Sequence, residues 1–172
     1  MTLQGKLEAA ANVATVVVAV LLSAALIKIY FVPTRAPKRP QMLGETVVGT
    51  NLEGRVPGID WKKNGRTLVL AISTQCHFCQ ESTPFYRKLR GAVGSGLKTV
   101  AVLPQPVSTA QQYLEGAGVH VDQIKQVTMG DIGVRGAPTL FLVNGAGAVT
   151  KVWVGKLAPE QEEQVLTALG KG

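Results

Sequence analysis

The chain carries two cysteines in 172 residues, separated by two positions in Ser73-Thr74-Gln75-Cys76-His77-Phe78-Cys79-Gln80. Thiols at this spacing suit three chemistries: a metal clamp, a structural staple, or a pair that opens and closes as a redox centre. A closed zinc site takes four ligands, and the only imidazoles to join the thiols are His77 and His120. His77 lies between the cysteines, where its backbone placement makes joint coordination awkward. Copper delivery by soft thiolates with His120 is the better metal alternative. A staple that closes so short a loop constrains little of the unfolded chain. Thiol–disulfide exchange accounts best for the pair.

Two elements must position these thiols. Thr67-Leu68-Val69-Leu70-Ala71-Ile72 is a near-continuous apolar run, as expected of a strand buried on both faces. Residues 77–92 read as a helix, with Phe78, Phe85, Leu89 and Val93 spaced for one apolar side. Cys76 then opens that helix, and its sulfur faces unpaired N–H groups and the positive end of the helix dipole. Both favour thiolate over thiol. Cys79 lies one turn later, which makes Cys76 the exposed attacker and Cys79 the resolver of a mixed disulfide. His77 adds a cation beside the thiolate, stabilising the reduced form and making the disulfide more oxidising.

Further along, Thr99–Leu103 reads as a strand ended by Pro104, followed by a helix near residues 109–117 and a short strand around 124–127. Residues 139–143 and 148–154 form two strands around Asn144-Gly145, a hairpin signal. Pro159 starts a closing helix that runs to about Leu169, with Gly170 as its stop. The order βαβα, hairpin, helix predicts an α/β fold: a mixed central sheet with helices on both faces. Trp61 and Trp153 read as packing on or near strands, Met129 as a core filler, and Gln111, Gln112 and Tyr113 as a solvated face.

A strand, then Cys-x-x-Cys at a helix start, then Pro84 resembles the thioredoxin fold. So does Val134-Arg135-Gly136-Ala137-Pro138-Thr139-Leu140-Phe141-Leu142-Val143, which is similar to the segment holding that fold's cis-proline. The resemblance covers roughly residues 42–170. It implies a cis Ala137–Pro138 bond packed beside Cys76, with Ala137, Pro138 and Thr139 shaping a groove for an extended substrate. The 62 positions between Cys76 and Pro138 leave room for an extra helix and strand, as in the membrane-tethered TlpA/ResA-like branch. That branch implies a redox domain held outside the cytoplasmic membrane, exchanging electrons with cysteine-bearing proteins or a membrane electron donor, without an organic cofactor. Three departures stand out. Gln75 occupies the place where thioredoxins usually have Trp, the position expected for a buried acid falls near Leu70, and His-Phe replaces Gly-Pro between the cysteines. Glu81, close in sequence, reads as a helix residue facing water, so Cys79 has no assigned base.

Residues 9–27 contain no charge and at about 1.5 Å per residue would cover roughly 28 Å, close to a bilayer core. They predict a retained transmembrane anchor within 1–32, with Lys28 able to snorkel and Tyr30 and Phe31 suited to the interface. A signal peptide cleaved near Ser23-Ala24-Ala25 is the competing reading. Residues 33–41 form a tether in which Pro33, Pro37 and Pro40 exclude regular helix, and 42–172 form the thioredoxin-like domain. The charges after the span place that domain inside by the positive-inside rule, whereas the family habit places it on the periplasmic side. The net charge of +7 suits a solvated basic surface, a lipid surface or an acidic partner. With no Arg-rich run, RNA-binding aromatic pattern or zinc-finger spacing, it argues against nucleic acid. Two further alternatives remain: a binding module for metallocentre or membrane-complex assembly, and a peroxiredoxin-type peroxidase, although Ser73 stands where such sites usually carry Thr.

Overall fold

The computed structural model describes residues 15–23, 48–92 and 96–170. The chain divides into two compact units, residues 1–41 and 42–172. In the first, residues 15–23 are helical, and the Ser23 hydroxyl donates back to the Ala19 carbonyl at 2.8 Å. Among the described residues no helix is long and apolar enough to cross a membrane. Most of the expected span, the tether 33–41 and residues 42–47 lie outside the described residues.

The second unit is built on five strands: β1 (Thr67–Ala71), β2 (Lys98–Leu103), β3 (Gln123–Gln126), β4 (Thr139–Val143) and β5 (Val149–Val154). Their order is β3-β2-β1-β4-β5. β1 and β2 are parallel, as are β2 and β3, whereas β4 runs antiparallel to both β1 and β5. β1 occupies the centre, which is why its sequence shows no polar alternation: Leu68 and Leu70 face one side, Val69 and Ala71 the other, and all are buried. Burying a leucine or valine side chain contributes roughly 1.5–3 kcal/mol, so this strand anchors both halves of the core.

Five helices accompany the sheet: α1 (Trp61–Asn64), α2 (His77–Glu81), α3 (Thr83–Ala92), α4 (Val107–Gly116) and α5 (Pro159–Gly170). They lie on both faces, but unequally. Cys79, Phe85, Leu89, Leu114 and Val165 bring α2–α5 onto the Leu68–Leu70 face. The Val69–Ala71 face is covered by Trp61 of α1 with Leu52, Val56, Val127, Ile132 and Val134 from irregular segments.

Three local expectations are corrected. The helix expected over 77–92 is broken at Ser82. Both the Ser82 N–H and hydroxyl turn back to the Phe78 carbonyl, at 3.1 and 2.7 Å, and Pro84 has no N–H to continue the ladder. Trp61 opens a helix, not a strand, because Asp60 Oδ1 accepts the Lys63 N–H at 2.9 Å and so caps it. The β4–β5 hairpin is present around Asn144-Gly145, but β5 starts at Val149 instead of residue 148, so the loop spans 144–148. Asn144 Oδ1 accepts the N–H groups of Ala146 and Ala148, both at 3.0 Å, and Gly147, at φ +74°, takes the left-handed position.

Candidate active site

Beyond β1 the Ile72 N–H still reaches the Val102 carbonyl at 3.1 Å, and the chain then loops through Ser73–Gln75 to Cys76. Cys76 is the N-cap of α2 with extended backbone, φ −89° and ψ 113°. Its sulfur accepts the Cys79 N–H at 3.2 Å and donates its proton to the Ala137 carbonyl, also at 3.2 Å. It is half-buried, while Cys79 is 0% exposed. Of the two sulfurs, Cys76 is thus the more accessible and Cys79 the enclosed one.

Cys79 sits in the apolar cluster beneath the site. Burial pushes its thiol up from 9.0 to about 12, helped by its hydrogen bond to Cys76, and the Ser73 backbone N–H pulls in the opposite direction. The charged form of a desolvated thiol is disfavoured, so Cys79 keeps its proton at neutral pH. The side chain at position 70, Leu70, is buried and supplies no carboxylate. Among the described residues the buried polar side chains are Thr67, Ser82, Thr99 and Thr139, and none is an acid.

The Ala137–Pro138 bond is cis, as the motif implies. Ala137 is half-buried and Pro138 buried, and the Pro138 carbonyl accepts the Gly155 N–H at 2.7 Å. Thr139 is placed differently from its two neighbours. It is 4% exposed, pairs with Ala71 and Val154 in the sheet, and donates its hydroxyl to the Gly136 carbonyl at 2.6 Å. It braces the loop from within, while half-buried Ala137 carries the carbonyl that meets Cys76.

His77 points outward. Its Nε2 lies 3.2 Å from Glu81 Oε1, its ring is tilted against Phe78 at 5.8 Å, and Lys156 donates to Glu81 Oε2 at 2.9 Å. The Lys156 hydrogen bond holds the Glu81 carboxyl below the ordinary carboxylate range. Glu81 thus belongs to a surface ion cluster, as its helical position suggested. Phe78, expected on the apolar side of its helix, is 55% exposed; the residue that α2 turns into the core is Cys79.

Sequence reasoning missed three polar neighbours. Tyr113, read as part of a solvated face, is half-buried and held above its ordinary phenol range by burial and by both cysteines. Tyr86 is 3% exposed, with a hydroxyl lacking a hydrogen-bond partner, and burial raises it more strongly. Gln105 reaches back to the loop before Cys76, with Nε2 3.0 Å from Ser73 Oγ and Oε1 3.5 Å from Thr74 N. The helical spacing of Tyr86 beside Phe85 was an available signal; an isolated glutamine between prolines offered none. His120 is exposed. Among the described residues no group of three or more His, Cys, Asp or Glu is placed to hold a metal ion.

No protein-family model matches the chain, and no curated protein does. Solved structures do. The thioredoxin domain of a thiol-disulfide oxidoreductase from Bacteroides vulgatus superposes with a TM-score of 0.52 at 16% identity, over 76% of this chain and 96% of that one. A thiol-disulfide isomerase from Corynebacterium glutamicum gives 0.52 at 12% identity, over 80% and 99%. StoA from Bacillus subtilis gives 0.50 at 16% identity, over 74% and 98%. At these identities the likeness shows the fold, which is thioredoxin-like.

Proposed function

We propose that this chain is a membrane-anchored thiol–disulfide oxidoreductase whose redox centre is the Cys76–Cys79 pair. One observation carries the reading: an accessible sulfur and a buried one share a helix start. Cys76 is capped by the Cys79 N–H and lies against Ala137, and Cys79 is sealed behind it.

In the reducing direction the Cys76 thiolate attacks one sulfur of a partner disulfide. That disulfide breaks, and the first partner sulfur leaves as a thiolate and takes a proton. Cys79 then gives up its proton and attacks the Cys76 sulfur of the mixed disulfide. The bond to the partner breaks, the second partner thiol leaves, and a Cys76–Cys79 disulfide forms. The partner has gained two electrons and two protons. The same steps in reverse oxidise a partner dithiol. High proton affinity at Cys79 keeps the resolver dormant until Cys76 is capped, which favours encounter through one defined sulfur.

The partner class is a protein cysteine presented on an extended segment. Ala137, which precedes the cis Pro138, meets the sulfur, and Phe78, Val154 and the His77–Glu81–Lys156 cluster are exposed on the surface. His77 modulates the pair, and a membrane protein supplies or receives the electrons. No organic cofactor enters this scheme. Anchorage rests on residues 9–27, of which 15–23 are helical and exposed throughout, Val16, Val17, Val18, Val20, Leu21 and Leu22 included. A helix apolar on all sides suits lipid. We place the domain outside the cytoplasm despite the positive charges after the span.

The test combines Cys76→Ser and Cys79→Ser with insulin reduction, peroxide consumption and bound copper. Either substitution is expected to abolish insulin reduction, with peroxide turnover and copper binding absent from the native chain. Cysteine-dependent peroxide consumption or stoichiometric copper would select one of the alternatives instead. A membrane-impermeant thiol reagent applied to intact, reduced cells is expected to label Cys76; protection until lysis would reverse the orientation.

A further inference from the structure

Gln105 lies in the β2–α4 connection between Pro104 and Pro106. The prolines fix φ on either side of it and limit the freedom of this turn. From there Nε2 donates to Ser73 Oγ at 3.0 Å and Oε1 accepts from the Thr74 N–H at 3.5 Å. The Ser73 backbone ties this loop to the redox pair through Cys76. Its carbonyl accepts the Cys76 N–H at 3.2 Å, and the Cys76 sulfur in turn accepts the Cys79 N–H at 3.2 Å. The Ser73 hydroxyl also accepts the Gln75 N–H at 3.3 Å. Gln80 closes the loop from the other end, donating from Nε2 to the Thr74 carbonyl at 3.4 Å.

We propose that Gln105 is a positioning residue for the redox pair, fixing Ser73 so that its carbonyl holds Cys76 in place over Cys79, and that this clamp sets the dithiol–disulfide equilibrium. The inference rests on the exchange reading and deepens it. In the dithiol form the two sulfurs are separate, and their placement depends on the loop. In the disulfide form the S–S bond itself fixes them. Releasing the clamp therefore weakens the dithiol more than the disulfide. The relevant step is balanced: two glutathione thiols plus the Cys76–Cys79 disulfide give glutathione disulfide plus the two protein thiols.

The experiment equilibrates the full chain, purified in mild detergent, across glutathione to glutathione-disulfide ratios and reads the dithiol fraction by alkylation mass shift. The variants are Gln105→Ala, Gln105→Met (similar length without hydrogen bonding), Ser73→Ala and the Gln105→Ala/Ser73→Ala double. Each single variant is expected to shift the equilibrium about three- to tenfold toward disulfide. The double should shift it no further than the larger single, as for residues acting through one contact. Thermal unfolding should show the reduced form losing more than the oxidised form, a difference that a merely structural role would not produce. Equilibria within about twofold of native for both Gln105 variants, equal losses in the two redox forms, or additive effects in the double would overturn the proposal. Should Ser73→Ala not fold, the Gln105 pair decides alone. A native chain that never forms the disulfide across the glutathione range would instead remove the exchange reading, and this inference with it.

Discussion

The Cys76 sulfur lies 3.2 Å from the carbonyl oxygen of Ala137, 61 residues further along the chain. The contact ties the start of α2 to the loop entering β4. A partner sulfur that reaches Cys76 therefore meets the Ala137 backbone at the same moment. It does not meet Cys79, which is 0% exposed.

That asymmetry predicts the order of chemical labelling. Iodoacetamide at neutral pH is expected to modify Cys76 in the folded, reduced protein and to leave Cys79 unlabelled until denaturant is added. Peptide mass mapping distinguishes the sites. Equal labelling of both cysteines under native conditions would contradict the buried-resolver geometry.

The succession of strands and helices along the chain and the Cys-x-x-Cys helix start were legible because they rest on patterns that sequence displays, whereas the order of strands within the sheet was not. The run at Thr67–Ile72 shows no polar alternation, and the apolar strand at Thr139–Val143 follows Pro138 directly. The break at Ser82 was not legible from apolar periodicity. Phe85 and Leu89 keep their helical spacing, whereas the break comes from one hydroxyl and the missing Pro84 donor. The support around the pair was harder still. Gln105 meets Ser73 across 32 positions and Lys156 meets Glu81 across 75, and single polar residues carry no period that could announce such contacts. Tyr113 was misread for a related reason: its neighbours Gln111 and Gln112 are exposed, and it alone of the three turns toward the site.

Alkaline stability follows from Cys79. Its proton affinity in the folded state is raised from 9.0 to about 12, chiefly by burial. Below pH 9.0 the thiol is protonated in both folded and unfolded chains, and its contribution is fully present. Between 9.0 and about 12 the unfolded chain releases the proton first, so stability falls as pH rises. Buried Tyr86, raised from 10.0 by desolvation, acts in the same direction. Denaturant unfolding of the reduced protein from pH 8 to 11 is expected to show this loss, with a shallower slope in Cys79→Ala. An unchanged slope would remove Cys79 as its source.

Gly147 provides a stability test remote from the thiols. Its φ is +74°, and an added Cβ would stand 2.9 Å from Asn51 Oδ1, 3.2 Å from the Glu53 N and 3.2 Å from Trp61 Cδ1. Gly147→Ala is therefore expected to destabilise the domain by about 1–3 kcal/mol through backbone strain and crowding. Chemical denaturation reads the loss, and the glutathione equilibrium of the pair should stay at its native value. A neutral substitution would mean that the loop 144–148 yields without cost.

The central claim is that electrons pass through a bond between Cys76 and a partner sulfur, released by Cys79. Incubating Cys79→Ser with a disulfide-bonded protein, quenching with acid and separating the products without reductant tests it directly. The account predicts a covalent adduct that maps to Cys76, disappears on adding dithiothreitol and does not form with the Cys76→Ser/Cys79→Ser double variant. Absence of any adduct while Cys76 remains free and alkylatable, or an adduct mapped elsewhere, would contradict it.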